Sequence, residues 1–325
     1  MIIGRSILIA LGILISLVGC GEGDNNDQKL PESDGTSFTE LMANSIEAEA
    51  YGQIVDSAVS GIRYNSGGHY GITDETGKYG YMKGESVEFF IGDISIGKLI
   101  EPLSLVTPYE LANEDPQIAL NIARFLQTLD NDSNVDNGIQ INEVVHFLAE
   151  GIALDFSSKA WQEPLLPELE VIDGQLVEVR SDIDLQVFEL TTATDAGARY
   201  LVSSTNAYGH IASTLDQAID SLESEAQSVA DSSTCETNEH CKLIQLSTKY
   251  TNYCPLPGTT LVYSEVNTDV PALELLEDER YYLIGVKKKL ERSAGLNDTS
   301  TGLCLSQSLP PIAVCGEQSR CEIKY

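Results

Sequence analysis

The sequence is poor in positive charge. It has 19 Lys and Arg against 50 Asp and Glu, a net charge of −31 over 325 residues. That shortage argues against a nucleic-acid binder, which needs clustered cations to meet the phosphate backbone. Histidine is also scarce: His69, His146, His210 and His240 leave little material for imidazole catalysis. There is no Gly-x-Ser-x-Gly elbow, His-Glu-x-x-His motif or Walker loop. Cys-x-x-Cys pairs are missing too, which argues against a zinc site. No apolar run reaches the roughly 20 residues of a membrane span, so a polytopic membrane protein is excluded. Hydrophobic residues make up 42% of the chain, an ordinary globular share that excludes wholesale disorder. A chain of this length is expected to carry two or three domains, at roughly 100–200 residues each.

What is present begins with a targeting segment. Arg5 supplies a short basic region, and Ile7–Val18 is an almost unbroken apolar run that suits a signal peptide. Its end, Leu17-Val18-Gly19-Cys20, resembles the bacterial lipobox. The resemblance implies a signal peptide over residues 1–19 and acylation of Cys20, so the protein would be anchored to the lipid bilayer without spanning it. Residue 21 is Gly, not the Asp that usually marks inner-membrane retention, so the resemblance leans toward the outer membrane. Residues 20–50 then read as the acylated Cys and an acidic tether. Residues 21–50 hold eight acids and one base, Lys29.

The remaining six cysteines, Cys235, Cys241, Cys254, Cys304, Cys315 and Cys321, all fall near the C-terminus. An even, clustered number in an exported chain implies three disulfides, and six cysteines leave 15 pairings open.

Three blocks follow the tether, and together they predict an α+β protein. Residues 51–98 read as short strands in a small β-sandwich or meander, separated by the turns Asn65-Ser66-Gly67-Gly68, Asp74-Glu75-Thr76-Gly77 and Lys83-Gly84-Glu85. Residues 99–230 read as a mainly helical domain. One helix starts at Asp115-Pro116 and buries Ile118, Ile122, Phe125, Leu126 and Leu129. A second is capped by Asn142, and a long helix is expected over Ala196–Ala230. Between them, Gln162–Asp195 reads as an acidic connection holding a hairpin. Residues 231–325 read as a small disulfide-stapled α+β domain with a helix over Pro271–Ser293. Gly52-Gln53-Ile54-Val55-Asp56, Val59-Ser60-Gly61 and Thr73–Tyr79 resemble a carboxypeptidase-regulatory-like or transthyretin-like module, usually a scaffold on bacterial surface proteins. Cys235–Lys242, Leu261–Ser264 and Cys315–Cys321 resemble a six-Cys domain found at the ends of proteobacterial secreted proteins and lipoproteins. These resemblances imply architecture and compartment, not chemistry.

The candidate site is the acidic loop 130–138. Asp130, Asp132, Asn134 and Asp136 have the spacing of the first four oxygen positions of an EF-hand, which would suit Ca2+. Val135 stands where that loop wants Gly, and Ile141 where it wants Glu, although Glu143 lies two residues on. A solvated turn, rich in Asp and Asn for capping, accounts for the same residues. The neighbouring pattern Asn121–Asp132 with Asn137–Ile141 resembles one that recurs in bacterial lipoproteins and surface proteins. Glu143, His146 and Glu150 are expected to form an exposed polar helix face, and Lys287-Lys288-Lys289 a solvated helix end. Trp161 and the 14 Tyr could line a binding patch, but aromatics more often sit in the core.

No motif commits the chain to a reaction. The expectation is an envelope lipoprotein with a binding, adhesion or structural role and a protein or envelope-polymer partner. The alternatives are a carboxylate-dependent hydrolase of envelope polymer, or a peptidase inhibitor presenting the loop Cys254–Thr260.

Overall fold

A computed structural model describes residues 37–161, 168–172, 175–247, 259–296 and 310–325. The expected leader 1–19, Cys20 and most of the expected tether lie outside the described residues, as do Cys254, Cys304 and the expected inhibitor loop up to residue 258. Among the described residues, no helix is long and apolar enough to cross a membrane.

The chain enters through a short helix, α1 (Phe38–Ala43). A capping box fixes its start, with Ser37 and Glu40 each bonding the other's backbone N–H. The strand block follows as β1 (Ala50–Ile54), β2 (Val59–Ser60), β3 (Arg63–Ser66), β4 (His69–Ile72), β5 (Lys78–Tyr81), β6 (Val87–Ile91), β7 (Ile94–Leu99) and β8 (Leu105–Val106). These make a sheet ordered β5-β1-β8 and a second ordered β4-β3-β6-β7. Alternation decides which side chains turn inward: Val87, Phe89 and Ile91 of β6 are buried. Tyr79 of one sheet meets Phe89 of the other edge-to-face at 5.0 Å, with Tyr64 beside both. Of the two expected arrangements, sandwich or meander, two sheets in contact suit the sandwich.

The helical block contains α2 (Pro108–Leu111), α3 (Pro116–Leu129), the two-residue strand β9 (Ile139–Gln140) and α4 (Glu143–Leu148). A hairpin, β10 (Glu168–Ile172) with β11 (Gln175–Val179), leads to α5 (Asp182–Thr191) and the long α6 (Ser204–Val229). Helix α3 starts where Asp115-Pro116 predicts, the Asp115 carboxylate accepting from the N–H groups of Gln117 and Ile118. It is the central element, buried continuously from Ala119 to Leu129. Its buried polar side chains are therefore bonded inward. Asn121 donates to Phe156 O, and Arg124 donates to Trp161 O and Val202 O. Trp161 is buried as expected, stacked on Phe156 and donating to Asp155 O.

The C-terminal block holds β12 (Cys241–Gln245), β13 (Thr260–Ser264), α7 (Val270–Ser293), β14 (Ile312–Cys315) and β15 (Cys321–Lys324). Disulfides join Cys235 to Cys315 and Cys241 to Cys321. They staple the β14–β15 hairpin to the start of β12 and the segment before it.

The boundaries expected at 98/99 and 230/231 are not breaks in the buried core. One hydrophobic cluster runs from Ile54 and Phe89, through Phe125 and Leu126, to Ile211 and Ile219 and on to Leu283, Val286 and Leu290 of α7. A smaller cluster joins Ala226 to Leu246, Tyr263 and Leu273. Strand β2 also pairs in parallel with β9, about 80 residues away, so the end of the acidic loop is sewn to the β-module. This crossing requires Gly61: with φ +84°, a Cβ there would stand 2.0 Å from Ile141 O.

Helix α6 begins at Ser204, not at Ala196. Ser203 is its cap, while the stretch before it bonds elsewhere: Ala196 N–H to Asn131 O, Arg199 N–H to the Thr191 hydroxyl, and Val202 N–H to the Thr128 hydroxyl. Helix α5 was not anticipated in the acidic stretch. Its signal was present, with Ser181 as cap over Asp184 and Ile183, Val187 and Leu190 on the buried side.

Candidate functional site

The acidic loop leaves the end of α3 at Asp130 and returns through β9. Asp130 is fully buried. Its Oδ1 accepts the Gln140 N–H at 2.9 Å, whereas its Oδ2 is buried with no hydrogen-bond partner. Burial and the neighbouring Asp132 carboxylate push the Asp130 carboxyl above its ordinary range. Asp132 is exposed, with one oxygen accepting from Asn134 N–H and the other from the Asn137 amide. These bonds hold its carboxyl below the usual range.

The four predicted ligands do not converge as an EF-hand would gather them. Among the described residues, the only set of three His, Cys, Asp or Glu side chains within 4.8 Å of one another is Cys235, Cys241 and Cys321, and these are disulfide-bonded. Asp136 turns from Asp130 and Asp132 toward His210, its carboxylate 3.8 Å from Nδ1. Ile141, at the EF-hand's last position, bonds Ser60 O through its N–H and buries its side chain. Glu143 pairs with Arg63 instead of closing the loop.

The end of the loop forms one wall of a cleft of about 490 Å³. Val55, Ser57 and Ala58 of the β1–β2 turn line it, as do Asp136, Asn137 and Gly138 of the loop and Ser213, Thr214 and Gln217 of α6. Sequence reasoning missed this cleft, because Ser57 and His210 are 153 residues apart. Here a hydroxyl, an imidazole and a carboxylate stand in line: Ser57 Oγ lies 2.9 Å from His210 Nε2, with Asp136 beyond Nδ1.

The protons decide what this line can do. Ser57 Oγ is 2.8 Å from Val135 O, and His210 Nε2 is 3.2 Å from Asp56 O. Both carbonyls can only accept. Ser57 therefore gives its one proton to Val135, and His210 Nε2 is the donor to Ser57 and Asp56. A serine nucleophile needs the reverse arrangement, with the imidazole taking the serine proton. The constellation as arranged is a clamp between the β1–β2 turn, the acidic loop and α6. It also holds Ser57 at φ 62°, a left-handed conformation uncommon for serine.

Beneath the clamp lies Asp56, completely buried, with Gln127 Nε2 donating to both of its oxygens at 3.1 and 2.9 Å. Burial pushes its carboxyl up to about 7, and the Gln127 bond only partly offsets that. His210 Nε2 is 3.9 Å away.

Two sequence expectations are corrected nearby. His146 is buried, not on an exposed polar face: Nδ1 accepts Gly92 N–H at 3.0 Å and Nε2 donates to Gly61 O at 2.7 Å. Burial drives it down to about 4, so it is neutral and structural. Lys287 and Lys289 are not free at a helix end. Lys287 grips the Asp216 carboxylate of α6, and Lys289 bonds the Tyr109 hydroxyl of α2.

No protein-family model, no curated protein and no solved structure matches this chain.

Proposed function

We propose that this chain is a lipid-anchored protein of the bacterial envelope that binds an uncharged envelope glycan in the cleft between the β1–β2 turn, the acidic loop and α6. The lipobox ending at Cys20, with Gly21 after it, supports acylation and an outer-membrane address. The observation that carries the binding role is the wiring of the cleft. Its lining includes the Ser213 hydroxyl and the Gln217 amide, while the Thr214 hydroxyl bonds Ser57 N–H and His210 O, the Asn137 amide donates to Asp132, and the Ser57 and His210 protons are committed to backbone carbonyls. Such a lining pairs with sugar hydroxyls. The net charge of −31 disfavours an anionic polymer.

The hydrolase reading draws on the raised carboxyl of Asp56. That carboxylate is fully buried under the clamp and is absent from the cleft lining. Binding is therefore the better-supported role.

Co-sedimentation with purified envelope glycan tests it. The protein is expected to bind saturably without releasing soluble fragments, and Gln217→Arg, which fills the cleft mouth, is expected to weaken binding about tenfold, or about 1.4 kcal/mol. Fragment release would favour the hydrolase. Equal binding by the variant would remove the cleft from consideration. Acyl labelling that persists in Cys20→Ser would overturn the anchor.

A further inference from the structure

We propose that the Asp130–Asp132 turn, whose two carboxylates are not among the residues lining the cleft, holds one hard divalent cation of the calcium type. The inference begins with an unanswered oxygen. Asp130 is fully buried, and its Oδ2 receives no N–H or O–H, although Oδ1 is bonded. A buried carboxylate oxygen left bare costs the protein several kcal/mol unless a proton or a cation meets it (on the order of the unpaired buried charge). The Asp132 carboxylate stands beside it, raising the Asp130 carboxyl further. No described Lys or Arg makes an ion pair with either carboxylate. Arg199 is the nearby cation: its charge acts on both carboxylates, but its hydrogen bonds go to backbone and hydroxyl oxygens, including the Asp130 carbonyl, and its buried Nε has no partner.

The turn is built before any ion arrives. Gln140 fixes Asp130, while Asn134 and Asn137 fix Asp132. Between them, Asn131 bonds the Asn142 amide, the Asp195 N–H and the Asp195 carboxylate. A preformed pair of carboxylates loses little entropy on binding. Two carboxylates in an irregular turn, completed by water, suit Ca2+, whose coordination is flexible. Mg2+ demands a near-ideal octahedron. The Arg199 charge opposes the ion and lowers its affinity toward the roughly 0.1–1 mM of extracellular calcium modules. This site is narrower than the four-ligand EF-hand set, since Asp136 belongs to the clamp.

The test uses the full chain in mild detergent, stripped with chelator and titrated with Ca2+ by calorimetry and thermal melting. One saturable ion per chain and a raised melting temperature are expected, with Mg2+ binding about tenfold more weakly. Asp132→Asn keeps an acceptor for Asn134 and is expected to weaken Ca2+ about tenfold or more. Asp136→Asn is expected to leave binding unchanged. Absence of saturable binding by the wild-type chain overturns the proposal outright. So does an equal loss in Asp136→Asn, which would mean diffuse attraction to acidic surface, or equal affinity for Mg2+. None of these measurements involves the glycan, so failure here and failure of the cleft are separately visible.

Discussion

Replacing Asp56 with Asn should change how stability depends on pH, and the structure gives the sign. In the folded protein the Asp56 carboxyl titrates near about 7, against 3.8 for an ordinary aspartate. The cause is complete burial, only partly relieved by Gln127. A carboxyl raised on folding favours the folded state while it is protonated. Its contribution is fully present below the unfolded value near 3.8 and is lost as pH rises through about 7. Between about pH 5 and pH 8 the loss amounts to about 2.5 kcal/mol, taking 1.36 kcal/mol per pH unit over the overlap of the two titrations. Asparagine has nearly the same shape and does not titrate. Asp56→Asn should therefore gain about 2.5 kcal/mol on the wild type as pH goes from about 5 to about 8. A constant offset of about 1 kcal/mol from the rearranged Gln127 bond cancels in that difference. Urea titrations of both proteins across this range measure it. Parallel pH profiles would refute the reasoning, because they would mean that Asp56 is ionised at ordinary cost or lies within reach of water.

Two further outcomes follow from other parts of the fold. His146 works in the opposite sense: burial lowers it to about 4, so its stabilisation is present above its ordinary value of 6.5 and is lost as pH falls toward 4. His146→Gln should flatten that acid limb by about 3 kcal/mol in the same urea series, and an unchanged limb would place its titration elsewhere. Peptide mapping without reduction should recover Cys235–Cys315 and Cys241–Cys321. Replacing Cys241 and Cys321 together by Ser should cost about 2–5 kcal/mol. A map joining Cys235 to Cys241 would contradict the stapled hairpin.

Much of the architecture was legible because it rests on local chemistry. Asp115-Pro116 and Asn142 start helices where they stand, since a cap needs only its own next three residues. Strands β6 and β7 lie where alternation puts them. The start of α6 was misjudged because Ala196, Ala198, Arg199 and Leu201 suit a helix, whereas the N–H groups of Ala196, Arg199 and Val202 bond Asn131, Thr191 and Thr128 instead and Gly197 turns at φ +79°. The shared core was not legible at all. Which block Leu283 or Phe89 packs against depends on the path of the whole chain.

The acidic loop shows the limit most clearly. Spacing alone assigns Asp130, Asp132, Asn134 and Asp136 to one ion. The fold divides them between two tasks. Parallel pairing of β2 with β9 draws the far end of the loop onto the β-module, which carries Asp136 to His210. The end of α3 holds Asp130 inside the core, with Asp132 beside it. A repeat of every second residue would keep four side chains together only on a loop free to curl around an ion, as the EF-hand's glycine allows. Here Val135 occupies the turning position, and its carbonyl is already engaged by Ser57. The loop is therefore tied down at its middle, and one acidic motif becomes a carboxylate pair on one side and a clamp residue on the other.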